Sequence, residues 1–384
     1  MRLKQEKERP RPLWRLRDQF VMRWLASVLL PLILSGPFAC SAEAGDHAPV
    51  LSASDVEPIV LGMSAAISGP SRELGIELYR GAMAFFQKFN AEGGVNGRPV
   101  VIEIRDDGYN PDPAVTNTIE FMNNPAVVAL FGYVGTPTTN RILPLLKSYG
   151  TGSPQLFFPF TGASSMRSPP YVERVFNLRT SYHEETRKLV NQFHSIGRIR
   201  IAVFFQSDAY GRSGWDGVRT ALRARGHDIV AEATYRRGDG FETDMSEQVA
   251  IIQEGEPDAV ICVGAYAACA AFIRDARNMG LDTPIANLSF VGSESMLRLL
   301  LEEEDKTGNS YTHDLVNSQV VPSYEELFLP AVREYRQLMT SVNPAPPPGA
   351  DLQGYEPLTY SFVSFEGYFN ARVMAHILTT TEEL

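Results

Sequence analysis

From Ile59 onward the chain repeats one pattern, a short apolar run followed by an amphipathic stretch of helical spacing. Segments 59–63 (IVLGM), 100–104, 127–131 and 155–158 read as strands, and 72–90, 113–122 and 138–149 as the helices between them. Parallel neighbours need a crossover long enough to hold a helix, so this alternation argues for a parallel sheet covered on both faces. The pattern then restarts. Helices are expected at 183–196, 213–225, 244–253 and 267–279, and strands at 199–205 (IRIAVFF), 228–233, 259–263 and 284–286. The fold class that follows is α/β, with two doubly wound parallel-sheet lobes. A length of 384 residues suits two domains. Segment 343–349 (NPAPPPG) can only be a loop, and 360–378 reads as a last helix.

The N-terminus departs from this pattern. Residues 1–23 are rich in Arg and Lys, 24–34 (WLASVLLPLIL) carry no charge, and Ser35, Gly36, Ala39, Ser41, Ala42 and Ala44 are small. That order is a secretory signal over 1–44, with Met22 as an alternative start. The apolar core is shorter than the roughly 20 residues of a membrane span. Cys40, preceded by Ala39, stands where a bacterial lipoprotein carries its lipidated cysteine, although Pro37 replaces the usual Leu and 42–44 (AEA) offers an ordinary cleavage site. Residues 45–58 read as a flexible leader. The expected location is the periplasm or the outer surface of the membrane.

Several function classes lose support here. A net charge of -10 argues against nucleic acid, whose phosphates need a basic surface. There is no G-x-S-x-G elbow, no G-x-x-x-x-G-K-[ST] loop and no G-x-G-x-x-G after the first strand. The six His are scattered without ligand spacing. No catalytic residue, metal or cofactor is therefore expected, and the chain reads as a binding protein rather than an enzyme. Segment 106–112 (DDGYNPD) faintly resembles a calcium loop but lacks EF-hand spacing, and reads as a turn with Asn110 or Asp112 capping a helix. Cys262 and Cys269 read as small core residues.

Ligands of open parallel sheets bind beyond the carboxyl ends of the strands. In the first lobe that place holds Ser68-Gly69-Pro70, then Gly135, Thr136, Pro137 and Thr138, then Phe160, Thr161, Gly162 and Ala163. Of these three the Gly135-to-Thr138 segment is the most informative: glycine admits a ligand to the backbone, Thr136 can cap a helix, Pro137 suits its first turn, and free N–H groups favour a carboxylate. A plain helix cap would look the same; the neighbouring Thr161-Gly162 edge is what makes a site of it. From the second lobe, Tyr210 and Tyr266 follow strands and either project into the cleft or pack in the core.

These residues carry a resemblance. With Leu61-Gly62, Ser68-Gly69-Pro70, 90–98 (NAEGGVNGR), Asp106-Asp107, Gly135 to Thr138, Tyr210-Gly211 and 274–280 (RDARNMG), the chain resembles the type I periplasmic binding proteins of the leucine/isoleucine/valine-binding branch, over about 59–378. The resemblance implies lobe 1 at 59–180 plus 316–384, lobe 2 at 181–315, an interlobe cleft, a crossover hinge, and closure on ligand. It implies a monomer that captures an amino-acid-like or small carboxylate ligand for an ABC-type membrane permease. A ligand-sensing receptor domain for a signalling partner is the alternative. The carboxylate would lie at Gly135, Thr136, Pro137 and Thr138, so Thr138→Val is expected to weaken binding by about 1–3 kcal/mol. Phe290 falls where relatives that bind aliphatic amino acids carry an acid for the ammonium, with Glu294 nearby; an aromatic carboxylate, or another ligand without an α-ammonium, therefore stays open. The family's third crossover would follow the last helix, so a short C-terminus is also expected.

Overall fold

The structure, a computed structural model, describes residues 56–148 and 154–381. The expected signal segment, Met22, Cys40 and most of the leader lie outside the described residues. In the first lobe β1 (Ile59–Ala65), β2 (Val100–Asp106), β3 (Val127–Phe131), β4 (Leu156–Phe157) and β5 (Val175–Phe176) form one sheet in the order β2-β1-β3-β4-β5. Every neighbouring pair is parallel. The helices between them are α1 (Arg72–Ala91), α2 (Pro111–Asn123) and α3 (Thr136–Ser148).

The second lobe repeats the scheme with α4 (Tyr182–Ser195), β6 (Ile201–Gln206), α5 (Ala209–Arg223), β7 (Glu232–Tyr235), α6 (Ser246–Glu254), β8 (Ala259–Val263), α7 (Tyr266–Asn278), β9 (Ile285–Asn287), α8 (Ser293–Thr307) and β10 (Leu315–Asn317). Its sheet runs β10-β9-β8-β6-β7, again all parallel, and extends past the boundary expected at 315. The central strands β6 and β8 are apolar and almost wholly buried, as strands covered on both faces must be.

The chain then returns to the first lobe as α9 (Pro330–Ser341) and α10 (Phe362–Thr380), and both pack on α1. Glycine sets how closely α1 and α10 approach. A Cβ at Gly81 would fall 1.7 Å from the Ser364 carbonyl oxygen, and one at Gly367 2.2 Å from that of Leu78. Among the described residues, 177–181 and 318–329 are the segments that join the lobes. Cys262 and Cys269 are buried free thiols. In 106–112, Asn110 is the cap of α2: its side chain accepts from the Asp112 N–H at 3.2 Å.

Candidate functional site

In each sheet the chain starts at an inner strand, steps to one side and then crosses to the other, so the order reverses between β1 and β3 and between β6 and β8. Such switch points leave a crevice at the carboxyl ends of the strands. Past β3, Val134 bridges to Phe160, and the Gly135 N–H donates to the Phe160 carbonyl at 3.2 Å. This pairing sets the Gly135-to-Thr138 segment beside the Phe160-to-Ala163 segment.

Gly135 has φ +100°, and a Cβ there would lie 2.2 Å from Cε2 of Tyr109, so the Tyr109 ring rests on bare backbone. α3 begins at Thr136 with Pro137 in its first turn, where a missing N–H costs nothing. The Thr136 and Thr138 N–H groups belong to that same first turn, which has no intrahelical acceptors to offer them. Thr136 and Thr161 are fully buried, and their hydroxyls bond each other at 2.7 Å. The Tyr182 ring packs on Gly162, and its buried hydroxyl, near Thr136 and Thr161, has no hydrogen-bond partner. Thr138 is different: its hydroxyl donates to the Val134 carbonyl at 2.6 Å.

Aromatic rings from both lobes meet in front of these segments. Phe290, on a turn of the second lobe, lies 5.3 Å from Phe160, 6.1 Å from Tyr109 and 4.6 Å from Tyr210, centroid to centroid. Tyr210 in turn lies 5.1 Å from Tyr182. All five are buried. Burial pushes the phenols of Tyr109, Tyr182 and Tyr210 up, so they remain hydrogen-bonding hydroxyls at neutral pH. Gln206 of the second lobe reaches the Tyr109 hydroxyl at 3.3 Å. Beside Ala163 a cavity of about 340 Å³ opens between the lobes, lined also by Asn140, Ser165, His183 and Arg212.

Of the residues singled out from the sequence, Gly135, Thr136, Pro137, Thr138, Phe160, Thr161, Gly162, Ala163 and Tyr210 gather around this interlobe region. Tyr266 does not join the aromatic group. Its hydroxyl accepts from the Glu73 N–H at the start of α1, at 3.5 Å. Sequence reasoning overlooked Tyr109, Tyr182 and Arg179. Tyr109 and Tyr182 did carry a signal, since each directly follows a capping or turn residue at a lobe edge. Arg179 carried none that local pattern reveals.

The carboxylates nearby are already bonded. Asp208 accepts from the Tyr210 N–H at 2.9 Å and from Gln206 at 2.7 Å. Asp107 accepts from Ser64 at 2.8 Å, and burial pushes its pKa up to about 7. Glu185 and Glu366 face Arg179.

A family profile described as periplasmic binding protein matches residues 58–362. A crystal structure of a possible leucine/isoleucine/valine-binding protein from Rhodopirellula baltica superimposes with a TM-score of 0.73 at 32% identity, covering 88% of this chain and 85% of that one. The chain belongs to the type I periplasmic binding proteins, in the leucine/isoleucine/valine-binding branch. The leucine-specific-binding protein of Salmonella typhimurium is 25% identical over 271 residues, 69% of this chain and 68% of its own. A substrate-binding periplasmic protein from Ralstonia solanacearum gives a TM-score of 0.71 at 25% identity, covering 84% of each chain. Members of this periplasmic binding protein family are solute-binding proteins, not enzymes. Among the described residues no helix is long and apolar enough to cross a membrane.

Proposed function

We propose that this periplasmic binding protein captures a small carboxylate between its lobes and delivers it to an ABC-type permease. The observation that carries the reading is the polar edge at the start of α3. The Thr136–Thr161 hydroxyl pair, the unpartnered Tyr182 hydroxyl and the first-turn N–H groups converge there, facing rings from both lobes. Such donors stabilise an anion by charge-assisted bonds, and the rings supply an apolar wall. A ligand that makes more contacts with both lobes together than with either alone shifts the open–closed balance toward closure.

Phe290 supports a narrower ligand class. It sets an apolar ring against rings of both lobes, and Asp208 and Glu366 nearby are engaged by partners of their own. An α-ammonium packed against this ring would trade hydration for an apolar contact, and Glu185 Oε1, a buried carboxylate oxygen without a hydrogen bond, already faces the Arg179 guanidinium at 3.9 Å. Aromatic monocarboxylates fit this lining better than aliphatic amino acids. The test is calorimetry on a panel of amino acids, aromatic carboxylates and neutral sugars. The reading expects binding by carboxylates, with aromatic acids ahead of leucine. Binding by sugars alone would overturn it.

A further inference from the structure

Arg179 lies on the first segment joining the lobes, and its side chain is 1% exposed. Its Nη1 donates to Glu366 Oε2 of α10 in the first lobe at 2.6 Å. Its Nη2 bonds the Ser289 hydroxyl of the second lobe and lies 3.9 Å from Glu185 Oε1 of α4. The guanidinium also covers the Phe160 ring, 4.4 Å from its centroid. Glu185 Oε2 accepts from the Ser289 N–H at 3.0 Å and from Ser318, on the second joining segment, at 2.8 Å. One buried cation on the first joining segment therefore touches both lobes, and Glu185 links it to the second joining segment. It also touches Phe160 and the residue next to Phe290, the two rings that meet across the cleft.

We propose that Arg179 is a positioning residue for ligand capture, holding Phe160 and the Ser289-Phe290 turn face to face between its counter-ions Glu185 and Glu366, and that a proton on Glu366 sets how firmly the lobes close. The inference rests on the reading of the interlobe cleft as the ligand site. Its physical basis is the burial of Glu366. The Arg179 guanidinium is shared between two carboxylates, so closing the lobes with Glu366 ionised buries a carboxylate that is only partly compensated, which is costly. Arg167 is a second cation on the Glu185 side: it is half-buried, feels the Glu185 charge, and donates to the carbonyl oxygens of Arg179 at 2.6 Å and Thr180 at 3.2 Å. The remaining ionisable groups nearby do not neutralise Glu366. On α1, which packs along α10, Arg80 and Glu77 bond each other at 2.9 Å. On α9, Glu334 is taken by Arg372 at 3.0 Å and by Tyr368. Tyr182 and Tyr210 are held neutral by burial.

A proton on Glu366 removes that cost. Burial, against the pull of Arg179 and with the push of Glu185, raises Glu366 from the ordinary 4.5 to about 7. A cavity of about 280 Å³ between the joining segments and α10, lined by both Arg179 and Glu366, gives that proton a route. Opening the lobes would solvate the cluster and return Glu366 toward its ordinary value. The closed form then holds the extra proton between the two values. Closure is favoured as pH falls through about 7, fully so below 4.5, and that advantage is lost as pH rises through about 7.

Small-angle X-ray scattering of the full chain at pH 5.5 and pH 8, with no ligand added, tests this. The wild type is expected to be more compact at pH 5.5, with the closed-to-open ratio changing by up to ~10-fold per pH unit. Glu366→Gln should be compact at both pH values, because the amide keeps the bond to Arg179 without a charge. Arg179→Met should be expanded at both, and Arg179→Lys should restore part of the compaction. A pH-independent wild type overturns the proposal, as does Glu366→Gln that still follows pH, or Arg179→Met that matches the wild type. If Arg179→Met does not fold, the Glu366→Gln profile decides alone. Binding of a panel carboxylate together with pH-independent scattering would overturn this inference and leave the proposed function standing.

Discussion

Thr136 and Thr138 share the first turn of α3 but differ in what their hydroxyls already bond. Thr138 has placed its proton on the Val134 carbonyl, whereas Thr136 shares a bond with Thr161 that either hydroxyl can donate. A ligand carboxylate needs a donor, so the side-chain contribution shifts from Thr138 to Thr136. Thr136→Val is expected to weaken carboxylate binding by about 1–3 kcal/mol, and Thr138→Val to lower stability by about 1 kcal/mol with a smaller effect on affinity. Calorimetry and thermal unfolding on the two variants separate these outcomes; equal affinity losses would contradict the distinction. Gly135 makes a second test. Alanine there adds a Cβ 2.2 Å from Tyr109 at a φ of +100°, so strain of about 1–3 kcal/mol is expected. The Tyr109 ring must also move off Phe290, and a Gly135→Ala protein with unchanged melting temperature and affinity would contradict this. The segments around Thr136 and Thr161 were legible in the sequence because strand ends with glycine and hydroxyl residues have a local signature. Arg179 was not, because its importance comes from Glu366, 187 positions away.

At the scale of elements, β3 and β8 stand where the apolar runs placed them, because a strand buried on both faces has no other composition available. The start of α5 was misread. Its helix was expected from 213 and begins at Ala209, because Gly211, which like Gly214 and Gly217 depresses helix propensity, falls in the turn before 213. Those glycines serve packing. A Cβ at Gly211 would fall 1.8 Å from the Gln206 carbonyl oxygen, and one at Gly214 2.5 Å from Val263. β5, β10, α8 and α9 went unassigned. The two strands are too short to show a period, and α9 opens on a proline in a stretch that reads as loop. The cap of α5 gives a test at this scale. Asp208 accepts from the Tyr210 N–H, so Asp208→Ala should cost about 0.5–2 kcal/mol in urea unfolding and release Tyr210 from its place beside Phe290. Asp208→Asn keeps the cap and should cost less; equal losses would assign the effect to the Arg237 ion pair instead.

The whole molecule pairs two switch-point sheets, and the proposed site draws on both. Neither lobe alone has both the polar edge at Thr136 and the Phe290 wall. Contacts that join the lobes away from the cleft, such as Arg298 to Glu73 at 2.5 Å and the Phe362 N–H to Glu294 at 2.9 Å, hold the two halves in register. The central claim is that a carboxylate is recognised in this closed cleft. The most direct measurement is a calorimetric titration with phenylacetate and with phenylacetamide, its neutral amide. The account expects one phenylacetate per chain and the amide at least ~10-fold weaker, since the amide forfeits charge-assisted bonds worth about 1.5–3 kcal/mol. Equal affinity for acid and amide, or no binding of the acid, would contradict it.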